Sequence, residues 1–471
     1  MWADKYKDAL TYIDNYWEEI IYKPSRMKLR YRLPNLLYES SALEAIHIKK
    51  GRRMQYGTAS SVKLPYYFFV PNDNKFKYLF YWDSFFMFRG LMGTKRDWIM
   101  REMVENFLYL FTRYKIIPNF SAPASFGRSQ PPFLSSMIMD TYLNKINPSN
   151  PFHFPKKRWL RRAINVAKQE YELVWIDRLR AYNHSVEGYA LSRYGDRDIG
   201  YSQSSELESG WDLTSRFYNR CDQFLPVDLN SYLFKYETDF SHAAEILGER
   251  DEAQSWLSKS DKRKAEINTY MWDDTKGFYF DYGYSYSRIS SFYSLAGFVP
   301  LWAGVASPAQ AKRAVAHLPK FESPFGLTIT AKESLAQPLD LTKIDQRYHP
   351  AINQIIHPKQ WDYPNIWSPL EYLTIIGLLR YGYIDDAKRI MAKSVTAHGS
   401  AFAKHHTFFE KLNGITGDIG EGALYEDQKG FGWTNSAFFR YIKILDALEN
   451  NENIYENTTT QDPPYQLRII N

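Results

Sequence analysis

The chain has 471 residues, of which 44% are apolar and 24% charged, an ordinary globular balance that excludes intrinsic disorder as the main state. Its net charge of +6 is small and dispersed, which excludes a dedicated nucleic-acid binder. A single cysteine, Cys221, excludes an intrachain disulfide and a cysteine-rich zinc site. No apolar run reaches the roughly 18 residues of a membrane span, and the first twenty residues hold no uninterrupted apolar h-region, so a cytoplasmic location is expected. The aromatic share of 17% is high. It fits either a tyrosine-rich core and surface or a carbohydrate site in which flat rings stack on sugar C–H faces.

Helical periodicity dominates, and the expected helices run in chain order. The first cover Ala3–Tyr22, Ser41–Lys50, Asp83–Met92, Trp98–Tyr114 and Pro131–Asn144. Next come Lys156–Leu173, Asp228–Leu247, Ala253–Met271, Phe292–Gly304 and Pro308–Leu318. Pro369–Tyr381 and Ile384–Val395 read as a pair joined by a short turn, and Trp433–Leu448 as the last helix. The basic run Lys156, Lys157, Arg158, Arg161 and Arg162 reads as a solvated helix face. Strand signals are few; Gly277–Tyr286 alternates as a hairpin arm would. About a dozen helices in short-looped pairs fit one α/α toroid of six hairpins, although an α-solenoid gives a similar count.

Polar-aromatic clusters lie between the helices: YWDSFF at 81–86, GRSQPPF at 127–133, ESGWDLTSR at 208–216 and QWDYPNIWSP at 360–369. The last comprises FFEKLN at 408–413 and GFGWTN at 430–435. Each sets a carboxylate or amide beside large rings, where a carboxyl pKa rises and a general acid can stay protonated at neutral pH. His184 reads as a hydrogen-bonded framework histidine. The His405–His406 pair is a weak metal motif, because adjacent helical residues point apart.

Taken in order, these clusters resemble the trehalase family, glycoside hydrolase family 37. QWDYPNIWSP is similar to the family signature QWDxPxGWxP, with Ile366 where Gly, Ala or Val is usual. FVPNDNKFKYLFYWDSFF resembles VPGGRFxExYxWDSYF more loosely, and IPN at 117–119, RSQPP, ESGWD, PVDLN at 226–230 and GFGWTN also match. The resemblance implies an all-α (α/α)6 barrel in a single domain: an N-terminal helical segment at 1–60, the barrel at 61–449 and a tail at 450–471. It implies an inverting α-glucosidase with Asp212 as acid and Glu410 as base, and Glu421 and Glu426 as rival bases. Glu410 sits in FFEKLN, where the family has EKY and this chain has Leu412. An inverting pair stands roughly 6.5–9.5 Å apart to admit water. The glucose subsite would comprise Phe76, Trp82, Asp83, Asn119, Arg128 and Gln130, with Gly210 and Trp211 beside the acid. Asp83 could instead cap a helix. Trp361, Asp362 and Trp367 would line the same cavity, Asp362 being open to a framework role. Trehalose is the expected substrate; no metal or other cofactor, nucleic acid or membrane partner is implied, and a monomer is the default.

Departures gather on the side of the second sugar. Lys75 stands where the family has Arg, replacing a planar fork with a point charge. Only 13 residues separate Tyr194 from Glu208, without the family's Arg-Pro-Glu segment. Leu424 stands where a second C-terminal Glu belongs, and the Gly-rich stretch is reduced to 413–422. Arg197, Asp198, Glu421 or Glu426 could substitute. The alternatives are another α-glucoside as substrate (glucosylglycerate or an α-glucan end), an inactive sugar-binding relative, and a helical scaffold whose aromatics are only core.

Overall fold

A computed structural model describes residues 1–23, 62–143, 157–177, 183–195, 202–335, 359–422, 426–450 and 452. The expected helix at 41–50 and the tail beyond Glu452 lie outside the described residues. Six helices form an inner ring: α2 (Tyr81–Leu91), α4 (Leu134–Leu143), α7 (Val227–Leu247), α9 (Val299–Ala303), α11 (Ser368–Arg380) and α13 (Gly432–Glu449). They alternate along the chain with outer helices: α1 (Lys7–Glu19), α3 (Trp98–Tyr114), α5 (Lys157–Glu170), α8 (Arg250–Tyr270), α10 (Pro308–Val315) and α12 (Ile384–His405). A short helix, α6 (Ser202–Glu208), lies between α5 and α7. Each inner helix packs on the next, and α13 packs on α2, so the ring closes as an (α/α)6 barrel.

Burial separates the two rings. Every residue of α2 is buried, and nearly every residue of α11, as expected for helices enclosed on all sides. The outer helices bury one stripe. In α5, Trp159, Leu160, Ala163, Ile164 and Ala167 face inward while Arg161 and Arg162 pair with Glu249 and Glu105, as the solvated-face reading expects. Closure of the ring depends on Gly90, where a Cβ would lie 2.9 Å from the Cα of Ser436.

Three expected helices need correction. The first breaks at Tyr6 into Trp2–Lys5 and α1. The run at 292–304 is α-helical only from Val299, preceded by a 3-10 turn at Leu295–Phe298; Pro300, lacking an N–H, fits only at the helix start. The helix from Ile384 continues through TAHGSAFAKH to His405, past the expected end at Val395. The stretch 277–286 is not one hairpin arm: Phe278–Tyr279 pairs with Trp272–Asp273, and Tyr282–Gly283 lies between Phe224–Leu225 and Arg288–Ile289. Among the described residues no helix is long and apolar enough to cross a membrane.

Candidate active site

The clusters occupy the connections that lead from outer helices into the N-termini of inner ones, or the first turns of those inner helices. They therefore gather at one end of the barrel. Tryptophans from four of them form a continuous chain of rings. Trp361 stacks on Trp367 at 3.9 Å and 7°, and lies 5.6 Å from both Trp82 and Trp211. Trp433 meets Trp82 and Trp367 edge-on at 6.1 and 5.8 Å. Phe76 joins through Phe431. The sequence signal for these rings is thus not core filling alone: they fasten separate loops to one another.

Polar contacts set the register of these loops. The N–H of Trp82 donates to Gln130 Oε1 at 3.1 Å, and that of Tyr81 to the Asn119 carbonyl at 3.1 Å. Asn119 in turn donates its N–H to the Arg128 carbonyl at 3.1 Å and its amide to the Leu207 carbonyl at 3.3 Å. Asn72 Oδ1 accepts the N–H groups of Lys75 and Phe76, while its amide donates to Gln428 of the last cluster. Gly210 adopts φ +75°, and a Cβ there would lie 2.6 Å from the Trp82 indole. Only glycine admits this approach.

Two carboxyl groups, those of Asp212 and Glu410, lie within electrostatic reach of a third, that of Asp83. Asp83, in the first turn of α2, is 4% exposed; burial raises its pKa well above the ordinary carboxyl range, and Glu410 and Asp212 push it further. Asp212 keeps limited contact with solvent, yet its apolar surroundings push its pKa up to about 7 against the opposing pull of Arg128. Glu410 is 2% exposed, and its backbone carbonyl accepts from Trp433 Nε1 at 3.0 Å and Thr434 Oγ1 at 3.3 Å. This gathers two carboxyls prone to hold a proton, one further acid and one cation beside a wall of tryptophans.

Behind Asp212 stands a framework in which sequence reasoning gave roles only to His184 and Asp362. Glu208 Oε1 accepts the Ser129 N–H, between Arg128 and Gln130, and Oε2 accepts the Gly195 N–H and meets His184 Nε2 at 2.7 Å. Arg216 makes two-pronged contacts with both Asp228 and Asp281 and holds its guanidinium 4.5 Å from the Trp211 ring. PVDLN therefore supplies an anchor, Asp228. Asp362 uses both oxygens on the Ser215 N–H and the hydroxyls of Thr214 and Ser215. Glu206 and Lys359 grip Thr214 from opposite sides. Glu208 was visible in the ESGWD motif; Glu206 and Lys359 had no signal beyond proximity to the motifs. His184 is fully buried with both ring nitrogens engaged, the framework arrangement expected.

The trehalase family profile matches residues 18–209 and 198–446. The chain belongs to the trehalase family. It is also similar to neutral trehalase Nth1 from Saccharomyces cerevisiae, with a TM-score of 0.72 and 23% identity over 94% of this chain and 95% of that one. The GH63 mannosylglycerate hydrolase from Thermus thermophilus in complex with glucose gives a TM-score of 0.56 and 16% identity, over 79% and 95%. These structural likenesses carry the fold, and family membership makes the chain a glycoside hydrolase.

Within this trehalase-family barrel the remaining expected residues are scattered. Lys75 is exposed, its ammonium 5.9 Å from the Phe76 ring. Glu421 and Glu426 are exposed, and Glu421 accepts from Asn413 Nδ2 at 2.5 Å. Arg197, Asp198 and Leu424 lie outside the described residues. His405 pairs with Asp418 at 2.7 Å, and His406 ends α12 in a left-handed conformation. Among the described residues no group of three side chains is arranged to hold a metal ion.

Proposed function

We propose that this trehalase-family hydrolase is an inverting α-glucosidase acting on trehalose, with Asp212 as general acid and Glu410 as general base. One observation carries the reading: Asp212 and Glu410 come from two different connections, yet both act electrostatically on the buried Asp83 in the first turn of α2, with Asp212 pushed up to about 7. Asp212 gives its proton to the glycosidic oxygen as the bond to the anomeric carbon breaks. Glu410 takes a proton from the water that attacks that carbon from the opposite face. Asp83, Arg128 and Gln130 would bind sugar hydroxyls, and Trp82 would cover a ring face. The exposed Glu421 and Glu426 are poorer bases in this scheme than the buried Glu410. The enzyme would act as a cytoplasmic monomer without a cofactor.

A second reading keeps the mechanism and changes the leaving group. It is favoured by Lys75, which is exposed where the family has Arg, and by Glu421, whose carboxyl is engaged by Asn413. Proton NMR of the protein with trehalose and a panel of α-glucosides, glucosylglycerate included, separates the two. Early β-glucose beside α-glucose from trehalose supports the first reading. β-Glucose from another α-glucoside alone supports the second. No turnover across the panel moves the weight to a sugar-binding relative.

A further inference from the structure

The turn after Asp212 is held by buried charges that the hydrolytic scheme does not use. Leu213 adopts φ +60°, a left-handed conformation costly for a branched side chain. The next peptide groups are gripped on both sides. Glu206 Oε1 accepts the Thr214 N–H at 3.0 Å. Lys359 Nζ donates to the Thr214 carbonyl at 2.9 Å and to Asn219 Oδ1 at 2.8 Å. The Trp361 N–H donates to the Leu213 carbonyl at 3.0 Å, tying the turn to the tryptophan wall. Glu206 and Lys359 are each 5% exposed. A buried carboxyl paired with a buried ammonium is an expensive way to satisfy one turn, and a group that never ionises would hold the Thr214 N–H at lower cost.

We propose that Glu206 is a positioning residue for Asp212: with Lys359 as its counterweight, it fixes the strained turn that aims the Asp212 carboxyl and, once ionised, supplies a negative charge behind it. The proposal rests on the reading of Asp212 as the acid. Asp212 interacts electrostatically with Arg128 from the 119–130 connection, with Asp83 from α2 and with Glu206 from α6, and Glu410 acts on Asp83 as well. Glu206 itself faces Lys359, Asp362 and the thiol of Cys221. A charge that disfavours ionisation of Asp212 keeps the acid protonated to higher pH, and electrostatic coupling between two such groups is reciprocal.

The test compares kcat and KM across pH for wild type, Glu206→Gln, Glu206→Asp and Asp212→Asn, using the α-glucoside hydrolysed fastest in the NMR panel. Glu206→Gln keeps an acceptor for Thr214 and removes the charge. Its alkaline limb should move to lower pH by about half a unit or more. Glu206→Asp keeps the charge and shortens the reach. Its limb should stay in place while kcat falls about tenfold or more at a KM within about twofold of wild type. A wild-type alkaline limb in Glu206→Gln overturns the proposal, as does a wild-type kcat in Glu206→Asp; both leave the reading of Asp212 intact if Asp212→Asn is inactive. An active Asp212→Asn removes that reading and the proposal with it.

Discussion

Ile366 lies directly opposite Leu412 in the two-residue antiparallel ladder that joins the QWDYPNIW loop to the loop carrying Glu410. At each position the chain departs from the family pattern, with Ile in place of a smaller residue and Leu in place of Tyr. Both side chains are buried, at 1% and 0% exposure. Facing positions in a ladder are close neighbours, so the two departures stand opposite each other across it. Glu410 lies two residues upstream of Leu412.

That juxtaposition predicts energetic coupling. Leu412→Tyr alone should overpack against Ile366 and cost about 1–3 kcal/mol. Ile366→Gly alone should cost about 2–5 kcal/mol through the cavity it leaves. The double variant should be more stable than their sum by more than about 0.5 kcal/mol. Urea unfolding of the four proteins checks this, and strict additivity would sink it.

Gly210→Ala should disturb both stability and catalysis. The added Cβ meets Trp82 carbons at 2.6 and 2.8 Å in a backbone with φ +75°. Strain of this kind costs about 1–3 kcal/mol. Asp83 follows Trp82 in the same helical turn, so displacing the indole should also lower kcat/KM about tenfold or more. Kinetics matching wild type, with only the melting temperature lowered, would separate the glycine from the site.

The helices were legible from their period, but their number fitted a toroid or a solenoid alike, and it was the family resemblance that implied the barrel. Inner helices are buried on nearly all sides even where they carry charge, as α7 does at Asp228, Lys235, Glu237 and Asp239. Trp98–Tyr114 reads to the residue, having a clean period and no internal Gly or Pro. The error at 292–304 comes from Gly297 and Pro300, whose effects on a helix start outweigh the apolar run. The candidate site was named from carboxylates and amides that stand beside Trp, Tyr or Phe. The support behind Asp212 was not, because Glu206, Lys359 and Asp228 act through contacts spanning from 8 to 145 residues along the chain or through a partner such as Arg216. Nothing in the local spacing of Lys359 distinguishes it from a surface lysine.

His184 should carry two N–H protons at pH 7. Its Nδ1 lies 2.7 Å from the Val174 carbonyl and its Nε2 2.7 Å from Glu208 Oε2, so both partners are acceptors. Burial by itself lowers the histidine pKa, but the Glu208 charge and the hydrogen bonds outweigh it and raise it above the ordinary value. Nitrogen NMR of the imidazole at pH 7 reads the protonation directly, and a ring with one N–H would refute it. His184→Phe, which strands the Glu208 charge, should cost about 3–5 kcal/mol.

Stability should fall as pH rises from about 5 to 7. Burial raises Glu170, Glu206 and Glu371 from 4.5 to about 7, and Asp212 from 3.8 to about 7. Between those values the folded chain holds more protons than the unfolded one, so unfolding free energy declines with pH and levels off above the folded values. Asp418 has the opposite sign: Lys404 and His405 lower it from 3.8 to about 2, so its contribution is lost only as pH falls through that lower range. The two windows do not overlap, so these carboxyls place the stability maximum on the acid side of neutral. Glu371→Gln should flatten part of the decline. Its Oε1 takes the Leu327 N–H at 2.9 Å, a bond the amide oxygen can keep, while the amide nitrogen can donate to the Ser394 hydroxyl, 2.7 Å from Oε2. Urea midpoints at constant ionic strength from pH 4.5 to 8 measure the slope. His242 and His398, lowered by burial to about 4, act in the opposite sense over this window, so a midpoint that climbs between pH 5 and 7 would show that the histidines outweigh these carboxyls.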